Sequence, residues 1–383
     1  MTATASCTAP DVVDVVALGE SMVTFLPSRP GRLADVPSFD RGIGGAESNV
    51  ACVMAAAGHT ARWVSRVGED GFGDHLVEAI GAYGVDVSSV RRDPSRPTGV
   101  YFRTAGDRAG DGHEVAYYRA GSAASAMAVG NVEMGAVRAA RVLHLSGITA
   151  ALSEDCLALM RELTAPAAGR PLVSFDVNHR QGLWRETGGP RILLELARDA
   201  DIVFVGEDEA EEAWGVTGGP EAIRELLPEP GTLVVKQGAE GATVFERTPG
   251  PGGRPAAGRG GPVAPTRRSR ICHSPAPLGS ARPGRVVERA PHVSVVAPVG
   301  AGDAFAAGFL SGTLRGLPLR DRLRHGHLMA AAALTVPGDL ATPPSRDHAD
   351  RLAALDDDAW GRLRLGPGWT HAVDRAPEEV RTP

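Results

Sequence analysis

A series of short apolar runs, rich in β-branched residues and separated by helical patterns, limits the fold of this chain more than any other feature. Runs that are apolar on both sides are typical of strands buried within a parallel sheet. The segments between them, such as residues 48–58, read as helices that carry the chain back across that sheet. The runs are residues 12–20, 62–68, 142–146, 172–176, 202–205 and 233–236. We therefore predict an α/β fold with a mostly parallel central sheet and helices on both faces.

Two segments alternate between apolar and polar residues instead. They are residues 24–41, and residues 98–104 together with 114–119. Alternation is typical of half-exposed antiparallel strands, so these segments predict a small β lid over the active site, with lid segments at about 22–43 and 97–120.

Residues 248–285 contain eight Pro, eight Gly and seven Arg but no Asp, Glu or Lys. Such a composition cannot bury enough apolar surface to order itself, which predicts a disordered insertion. A flexible surface loop is the favoured interpretation, and a contact with RNA or another polyanion is the alternative. Residues 346–383 are predicted to be a C-terminal extension with one amphipathic helix and no chemistry.

The bulk composition favours small molecules as partners. The net charge of −6 argues against a dedicated binder of nucleic acid or of an anionic membrane. No apolar run approaches the roughly 18 residues of a membrane span. The cysteines are scattered, without zinc spacing, and the N-terminus lacks a secretory pattern. These features predict a reducing cytoplasm. The cysteines are Cys7, Cys52, Cys156 and Cys272.

The segment Gly300-Ala301-Gly302-Asp303 points to a chemistry. Its glycines allow a tight turn whose N–H groups converge, and a following helix makes that concavity favourable for phosphate oxygens. A carboxylate beside a phosphate is suited to taking the proton of an attacking hydroxyl, so Asp303 indicates phosphoryl transfer to an alcohol. The chain has no GxxxxGK[ST] motif and no GxGxxG opening the first βα unit, which excludes P-loop ATPases and dinucleotide dehydrogenases.

A second glycine turn, residues 42–45, precedes a predicted helix that carries Asn49 one turn inside. The glycines could let a polyol approach the backbone while Asn49 bonds a hydroxyl. A plain strand-to-helix turn would have the same pattern, and both interpretations stay open.

Three motifs together resemble the signatures of the ribokinase-like (PfkB) carbohydrate kinases: Gly44-Gly45 with Asn49, residues 67–73, and residues 300–305. The resemblance covers residues 12–345 apart from the insertion. It implies a kinase domain of ribokinase-like fold that uses ATP and Mg²⁺, with a lid that often joins two subunits of a homodimer. Residues 19–23, 117–119 and 176–180 look most like 2-keto-3-deoxygluconate kinases, which implies a sugar acid phosphorylated at its terminal hydroxyl.

Carried over by position, the resemblance implies a role for each matching residue. The catalytic base is Asp303, and the anion hole is formed by Gly300, Ala301 and Gly302. The substrate contacts are Gly45, Asn49, Tyr101, Tyr117, Arg119, Arg180 and Asp339. The nucleotide contacts are Asn178, Lys236, Gly238, Gly241 and His327, and the residue linked to the metal is Glu209. The two arginines suit a substrate carboxylate because a guanidinium is a forked, permanent cation, although a surface arginine needs no ligand.

Two departures from the family pattern keep alternatives open. Ala297-Pro298 stands where relatives commonly have Asp-Thr, which puts activation by a monovalent cation in doubt. Gly206 stands where the acidic metal motif commonly begins with Asn. These departures leave open a catalytically impaired member of the family with a binding role. A kinase for a neutral sugar or a nucleoside is a separate alternative, which the two arginines would distinguish.

Overall fold

The computed structural model describes residues 11–29, 31–104, 114–184, 188–247 and 284–371. The strands are β1 (Val13–Leu18), β2 (Met22–Pro27), β3 (Phe39–Gly44), β4 (Ala61–Gly68), β5 (Val90–Asp93), β6 (Val100–Arg103), β7 (Val115–Tyr118), β8 (Ala140–Ser146), β9 (Leu172–Asp176), β10 (Ile202–Gly206), β11 (Thr232–Lys236), β12 (Ala242–Glu246), β13 (Arg285–Glu288), β14 (His292–Val293) and β15 (Arg364–Leu365). The helices are α1 (Ala46–Ala56), α2 (Gly71–Ala82), α3 (Met134–Arg138), α4 (Gly147–Ala150), α5 (Glu154–Thr164), α6 (Gly189–Asp199), α7 (Glu207–Trp214), α8 (Gly219–Leu226), α9 (Ala301–Leu314), α10 (Leu319–Leu334), α11 (Arg346–Ala353) and α12 (Asp357–Arg362).

The large sheet has the strand order β13-β12-β11-β10-β9-β8-β1-β4-β5. Strands β11, β10, β9, β8, β1, β4 and β5 pair in parallel, while β12 and β13 continue the edge in antiparallel fashion. The predicted α/β architecture with a mostly parallel sheet is confirmed. The antiparallel edge follows from the tight turn between β11 and β12, which leaves no room for a crossover helix.

Alternate residues of the strands pack into two hydrophobic layers, one on each face of the large sheet. On β1, Val15 and Ala17 pack with α1, α2, α9 and α10, whereas Val16 and Leu18 pack with the opposite layer of α3, α5, α6, α7 and α8. The side-chain period of two in a strand makes this division possible. Because helices cover both faces, a ligand can approach the sheet only at its ends.

The lid is a separate four-stranded sheet in the order β3-β2-β6-β7. Its outer strand pairs are antiparallel as predicted, but β2 and β6 are parallel, so the prediction of an entirely antiparallel lid is wrong. The chain leaves β2 through β3 and returns to β6 only after α1, β4, α2 and β5, and this long crossover permits the parallel pairing. Phe25 and Phe102 stack across the parallel pair with ring centroids 4.7 Å apart.

The segment after residue 345 packs onto α10. Trp360 and Trp369 are buried there with Leu328, and β15 pairs with β14. Residues 248–283 of the predicted insertion lie outside the described residues, while Arg285 already opens β13. Within the described part of the chain, no helix is both long and apolar enough to cross a membrane.

Candidate active site at the carboxyl edge of the sheet

Charged side chains gather where neighbouring parallel strands end. Asp176 is the last residue of β9 and Lys236 the last residue of β11, with β10 between them. The start of α9 faces the same edge, since an ideal Cβ on Gly302 would lie 3.6 Å from Lys236 Nζ. This edge is the part of a parallel sheet where ligands collect.

The turn before α9 has the geometry that the sequence predicts. Gly300 caps the helix with φ of 72°, and a Cβ at this position would lie 2.1 Å from the carbonyl oxygen of Asp339. Both the left-handed backbone and the close approach require glycine. The helix begins at Ala301, so the first amides of α9 have no partner within the helix and are available to an anion.

The two signature turns meet at one hydrogen bond. Asn49 Nδ2 donates to Asp303 Oδ2 at 2.8 Å, although the residues are 254 positions apart in the chain. Asn49 lies near the start of α1 and Asp303 near the start of α9, and these helices pack side by side in one hydrophobic layer. The Gly42–Asn49 turn is therefore part of the same site as Asp303, and Asn49 contacts the predicted base directly.

The environment of Asp303 favours proton exchange. Burial raises the pKa of its carboxyl to about 7, the hydrogen bond from Asn49 lowers it, and the negative charge of Asp176 raises it again. Lys236 and Arg180 act in the opposite direction. A carboxylate with a pKa near neutrality is well suited to accept the proton of an alcohol.

Lys236 and Asp176 form a close ion pair within this edge. Lys236 Nζ lies 3.0 Å from each carboxylate oxygen of Asp176, and the Asp176 side chain is 3% exposed. Burial lowers the pKa of Lys236, but Asp176, Glu209 and Asp303 together raise it, so the ammonium stays charged. A fixed cation thus lies beside the Gly300–Gly302 turn.

The predicted nucleotide turn joins β11 to β12. Gly238 has φ of 57° and Gly241 has φ of 137°, both in the region that favours glycine. A Cβ on Gly241 would lie 2.2 Å from the carbonyl oxygen of Glu288. His327 Nε2 lies 3.2 Å from that same oxygen, and burial lowers the pKa of this imidazole to about 4. His327 therefore lies behind the turn, as a neutral ring that bonds the backbone carbonyl of Glu288 at the end of β13.

Two further predicted contacts follow the end of β9. Asn178 has φ of 39°, an uncommon backbone for a residue other than glycine, and its buried Oδ1 has no hydrogen-bond partner among the described residues. Arg180 lies close enough to Asp303 to lower its pKa. A strained residue with an unsatisfied polar atom beside a charged edge is a candidate ligand contact.

The lid is anchored over the site by a buried polar cluster. Tyr101 Oη donates to Asp339 Oδ2 at 3.0 Å, and Arg103 Nη2 donates to Asp339 Oδ1 at 3.2 Å. A Cβ on Gly44 would lie 2.5 Å from the Tyr101 hydroxyl. Tyr117 stacks beside Tyr101 with ring centroids 5.4 Å apart, but its side chain is 54% exposed. Tyr101 and Asp339 therefore contact each other across the site.

Arg119 has a partner within the protein. Its guanidinium forms an ion pair with Glu20, which also accepts a hydrogen bond from Ser122. Gly45 lies against this region, because a Cβ there would come within 2.4 Å of the Glu20 carbonyl oxygen. The cation that sequence reasoning gave to a substrate carboxylate is thus already neutralised by a glutamate.

Glu209 serves the local structure of α7. Its Oε2 accepts a hydrogen bond of 2.8 Å from the backbone N–H of Gly206, closing the start of that helix. Burial raises the pKa of the Glu209 carboxyl. Among residues that the structure describes, no group of three His, Cys, Asp or Glu side chains could hold a metal ion. These residues do not fit a metal site built by the protein alone.

Comparison with known proteins agrees with this geometry. The sequence profile described as pfkB family carbohydrate kinase matches residues 13–258 and 284–346. The chain belongs to the pfkB family. It is a carbohydrate kinase, a phosphotransferase of a family that uses ATP.

Three relatives of this pfkB kinase span nearly its whole length. The 2-dehydro-3-deoxygluconokinase of Bacillus subtilis is 33% identical over 88% of the chain and 94% of its own length. The enzyme of the same name from Thermoproteus tenax is 31% identical over 89% and 94%. The crystal structure of a PfkB protein from Polaromonas sp. JS666 is 31% identical, covers 88% of this chain and 99% of its own, and superposes with a TM-score of 0.69.

Sequence reasoning did not assign three residues of the kinase site. Asp176 stood in the recognised 176–180 segment, and its position at a strand end was the available signal. Arg103 shares the alternation of β6 with Tyr101, which indicated a common face. Glu20 as the partner of Arg119 had no such signal, since the two residues meet only through the lid.

Proposed function

We propose that this kinase transfers the γ-phosphoryl group of ATP to the terminal hydroxyl of a sugar acid, most specifically 2-keto-3-deoxygluconate, giving its 6-phosphate. The observation that carries the proposal is the contact between Asn49 and Asp303. It brings the Gly42–Gly45 turn, proposed for the sugar, and the Gly300–Gly302 turn, proposed for the phosphate, into one site. Asp303 accepts the hydroxyl proton as the oxygen attacks the γ-phosphorus, and the first amides of α9 hold the phosphoryl oxygens.

The choice of an acid rests on Arg180 and on the relatives. Arg180 acts electrostatically on Asp303, so a substrate whose hydroxyl reaches Asp303 extends near a forked cation. Both curated relatives named above are 2-dehydro-3-deoxygluconokinases. Gly45, Asn49, Tyr101, Tyr117 and Asp339 would line the sugar, while Asn178, Lys236, Gly238 and Gly241 would line ATP, with His327 supporting that turn.

A neutral sugar or a nucleoside is the second candidate. One observation favours it: Arg119 is paired with Glu20, which leaves Arg180 as the principal cation for a substrate carboxylate. If Glu20 stays paired with Arg119 when substrate binds, Arg180 alone is left for the substrate carboxylate. The sugar acid then gains less binding energy in this pocket than the sequence predicts.

Magnesium enters in this proposal as part of the substrate MgATP, held mainly by the phosphates and water. Glu209 would act on it through water. We further propose a cytoplasmic location, because free Cys52 and Cys156 suit a reducing compartment. A homodimer through the lid is proposed from Tyr117 and Tyr118, whose side chains are 54% and 66% exposed on β7.

The test is ADP release, measured by a coupled assay over a panel of sugar acids, neutral sugars and nucleosides. We expect kcat/KM for 2-keto-3-deoxygluconate to exceed that for fructose or ribose by about a hundredfold, the discrimination that one charged contact can supply. A higher value for a neutral sugar or nucleoside would support the second candidate. Binding of a sugar without ADP release would mean that Ala297 marks a silent member of the family.

A further inference from the structure

The position of Lys236 indicates a role beyond shaping the predicted nucleotide turn between β11 and β12. The turn itself is shaped by Gly238 and Gly241, whose backbone angles do not depend on the Lys236 side chain. That side chain instead points to the carboxyl edge, where it is 18% exposed and bonds both oxygens of Asp176 at 3.0 Å. An ammonium in this position is held in place by its partner.

The ammonium also lies against the phosphate-binding turn. The 3.6 Å between Lys236 Nζ and an ideal Cβ on Gly302 is van der Waals contact distance. The hydrogen bonds of the described residues use two of the three N–H donors of Lys236, both on Asp176. A transferring phosphoryl group carries its charge on three equatorial oxygens, and fixed cations at such oxygens stabilise the transition state.

We propose that Lys236 is a catalytic residue that neutralises the transferring phosphoryl group, and that Asp176 is the positioning residue that holds its ammonium against the Gly300–Gly302 turn. The inference rests on the proposed phosphoryl transfer to a sugar hydroxyl. In that step the hydroxyl oxygen bonds to the γ-phosphorus of ATP and its proton passes to Asp303. The bond from the γ-phosphorus to its bridging oxygen breaks, and ADP leaves with the electron pair. Lys236 keeps its proton throughout.

The same pair acts on the base with opposing signs. The groups that face Asp303 are Asp176 from β9, Lys236 from β11, Arg180 from the segment after β9 and the neutral amide of Asn49 from α1. Asp176 raises the pKa of Asp303, whereas Lys236 and Arg180 lower it. Removing the lysine charge should therefore move the acid limb of the rate profile to higher pH, and removing the aspartate charge should move it to lower pH.

Four variants separate these roles: Lys236→Met, Lys236→Arg, Asp176→Asn and the double variant Lys236→Met with Asp176→Asn. We expect Lys236→Met to lower kcat by about 10² to 10³, as for loss of one transition-state donor, with KM for ATP raised by no more than about tenfold. Lys236→Arg should restore part of kcat because it keeps the charge. The double variant removes both members of the ion pair together, so neither is left without the other; it guards against a folding defect and should still be slow.

The pH profiles of these variants supply a readout that a structural role would not move. We expect the acid limb to shift upward in Lys236→Met, downward in Asp176→Asn and to stay near the parent position in the double variant. A double variant with the parent kcat would overturn the proposal, and so would single variants whose profiles coincide with that of the parent.

Nucleotide binding tests the inference without any sugar. By calorimetry, Lys236→Met should weaken a non-hydrolysable ATP analogue about tenfold while ADP stays within about twofold, because only the analogue carries a γ-phosphoryl group. An equal loss of affinity for both nucleotides, with unchanged kcat, would mean that Lys236 only supports the nucleotide turn, and it would overturn the proposal. If the parent enzyme phosphorylates none of the sugar acids, the proposed substrate is wrong, and the difference between analogue and ADP still decides the role of Lys236.

Discussion

Asp303 and Asp339 are carboxylates close to the same Gly300–Gly302 turn, and they differ in their partners. Asp303 bonds the neutral amide of Asn49, and burial raises the pKa of Asp303 to about 7. Asp339 accepts hydrogen bonds from Tyr101 and from the Arg103 guanidinium, and its side chain is 6% exposed. A carboxylate beside an amide can exchange a proton near neutral pH, while one held by a cation and a phenol fastens the lid.

The two predicted substrate arginines differ in the same way. Arg119 is neutralised by Glu20 near the end of β7, and Arg180 lies within electrostatic reach of Asp303. Both are arginines that the family resemblance assigns to the substrate. The partner that the fold supplies decides which group is available to a ligand.

Asp303→Asn, measured beside Asp339→Asn, is expected to change the reaction rate more than any other variant. Removing the base should lower kcat by more than about 10³, because Asp176, the neighbouring carboxylate on this edge, is held by Lys236. Asp339→Asn should keep kcat within about tenfold, but it should raise KM for the sugar and lower the melting temperature, since it removes a sugar contact and leaves the Arg103 charge buried without its ionic partner. Steady-state kinetics and thermal unfolding of both variants provide the measurement.

The difference in stability between Asp303→Asn and the parent should depend on pH. The folded pKa of about 7 lies above the ordinary 3.8, so the folded state binds the proton more tightly than the unfolded chain. The ionised carboxyl therefore weakens the fold increasingly as the pH rises from about 4 to about 7. We expect the variant to gain stability over the parent across that range, and a pH-independent difference would contradict the raised pKa.

The second effect in size is expected from the arginine pair. Arg180→Ala should raise KM for 2-keto-3-deoxygluconate by about 10- to 100-fold, the value of a lost charge-assisted contact, with little change for a neutral sugar. Arg119→Ala, which serves as the matched control, should act mainly on the melting temperature because it strands Glu20. Equal effects of Arg180→Ala on acid and neutral sugar would discard the acid hypothesis.

The third effect is the pH dependence of the parent enzyme. Because the base must be ionised, kcat/KM should fall about tenfold for each pH unit below about 7 and level off above it. Rates measured from pH 5 to pH 9 with saturating MgATP test this, and a rate independent of pH below 6 would show that Asp303 is not the titrating base.

The smallest effect is expected from Ala297→Asp. Ala297 is 7% exposed, and its backbone N–H bonds the carbonyl oxygen of Leu334 at 3.3 Å. A carboxylate there would be partly desolvated, so we expect only a few-fold change in rate together with a new response to potassium. ADP release with sodium or potassium as the added cation is the measurement, and identical rates in both would remove the predicted role of position 297.

The buried strands of the large sheet and the turn at Gly300 could be predicted from the sequence. Strands such as β9 and β11 are continuous apolar runs, and Gly300 marks a turn that only glycine can form, so periodicity and backbone geometry carried the prediction. The partner of each charge was not predictable. Glu20 meets Arg119, and Asp176 meets Lys236, only after distant segments fold together, and no local spacing encodes those contacts.

The parallel pairing of β2 and β6 was missed for a related reason. Alternation shows that one face of a strand is exposed, but it does not show the direction of the neighbouring strand. The long path between these strands was the available signal, because a short connection would have forced an antiparallel pair.

Phosphorus NMR of MgATP with 2-keto-3-deoxygluconate, followed over time with the parent enzyme and with Asp303→Asn, shows whether Asp303 is needed to move the γ-phosphoryl group of ATP to the sugar hydroxyl. We expect the γ-phosphorus signal of ATP to be replaced by a sugar phosphate monoester at C6 in the parent, and to persist with Asp303→Asn. Inorganic phosphate in place of the monoester, or the same monoester formed at the parent rate by Asp303→Asn, would contradict the account.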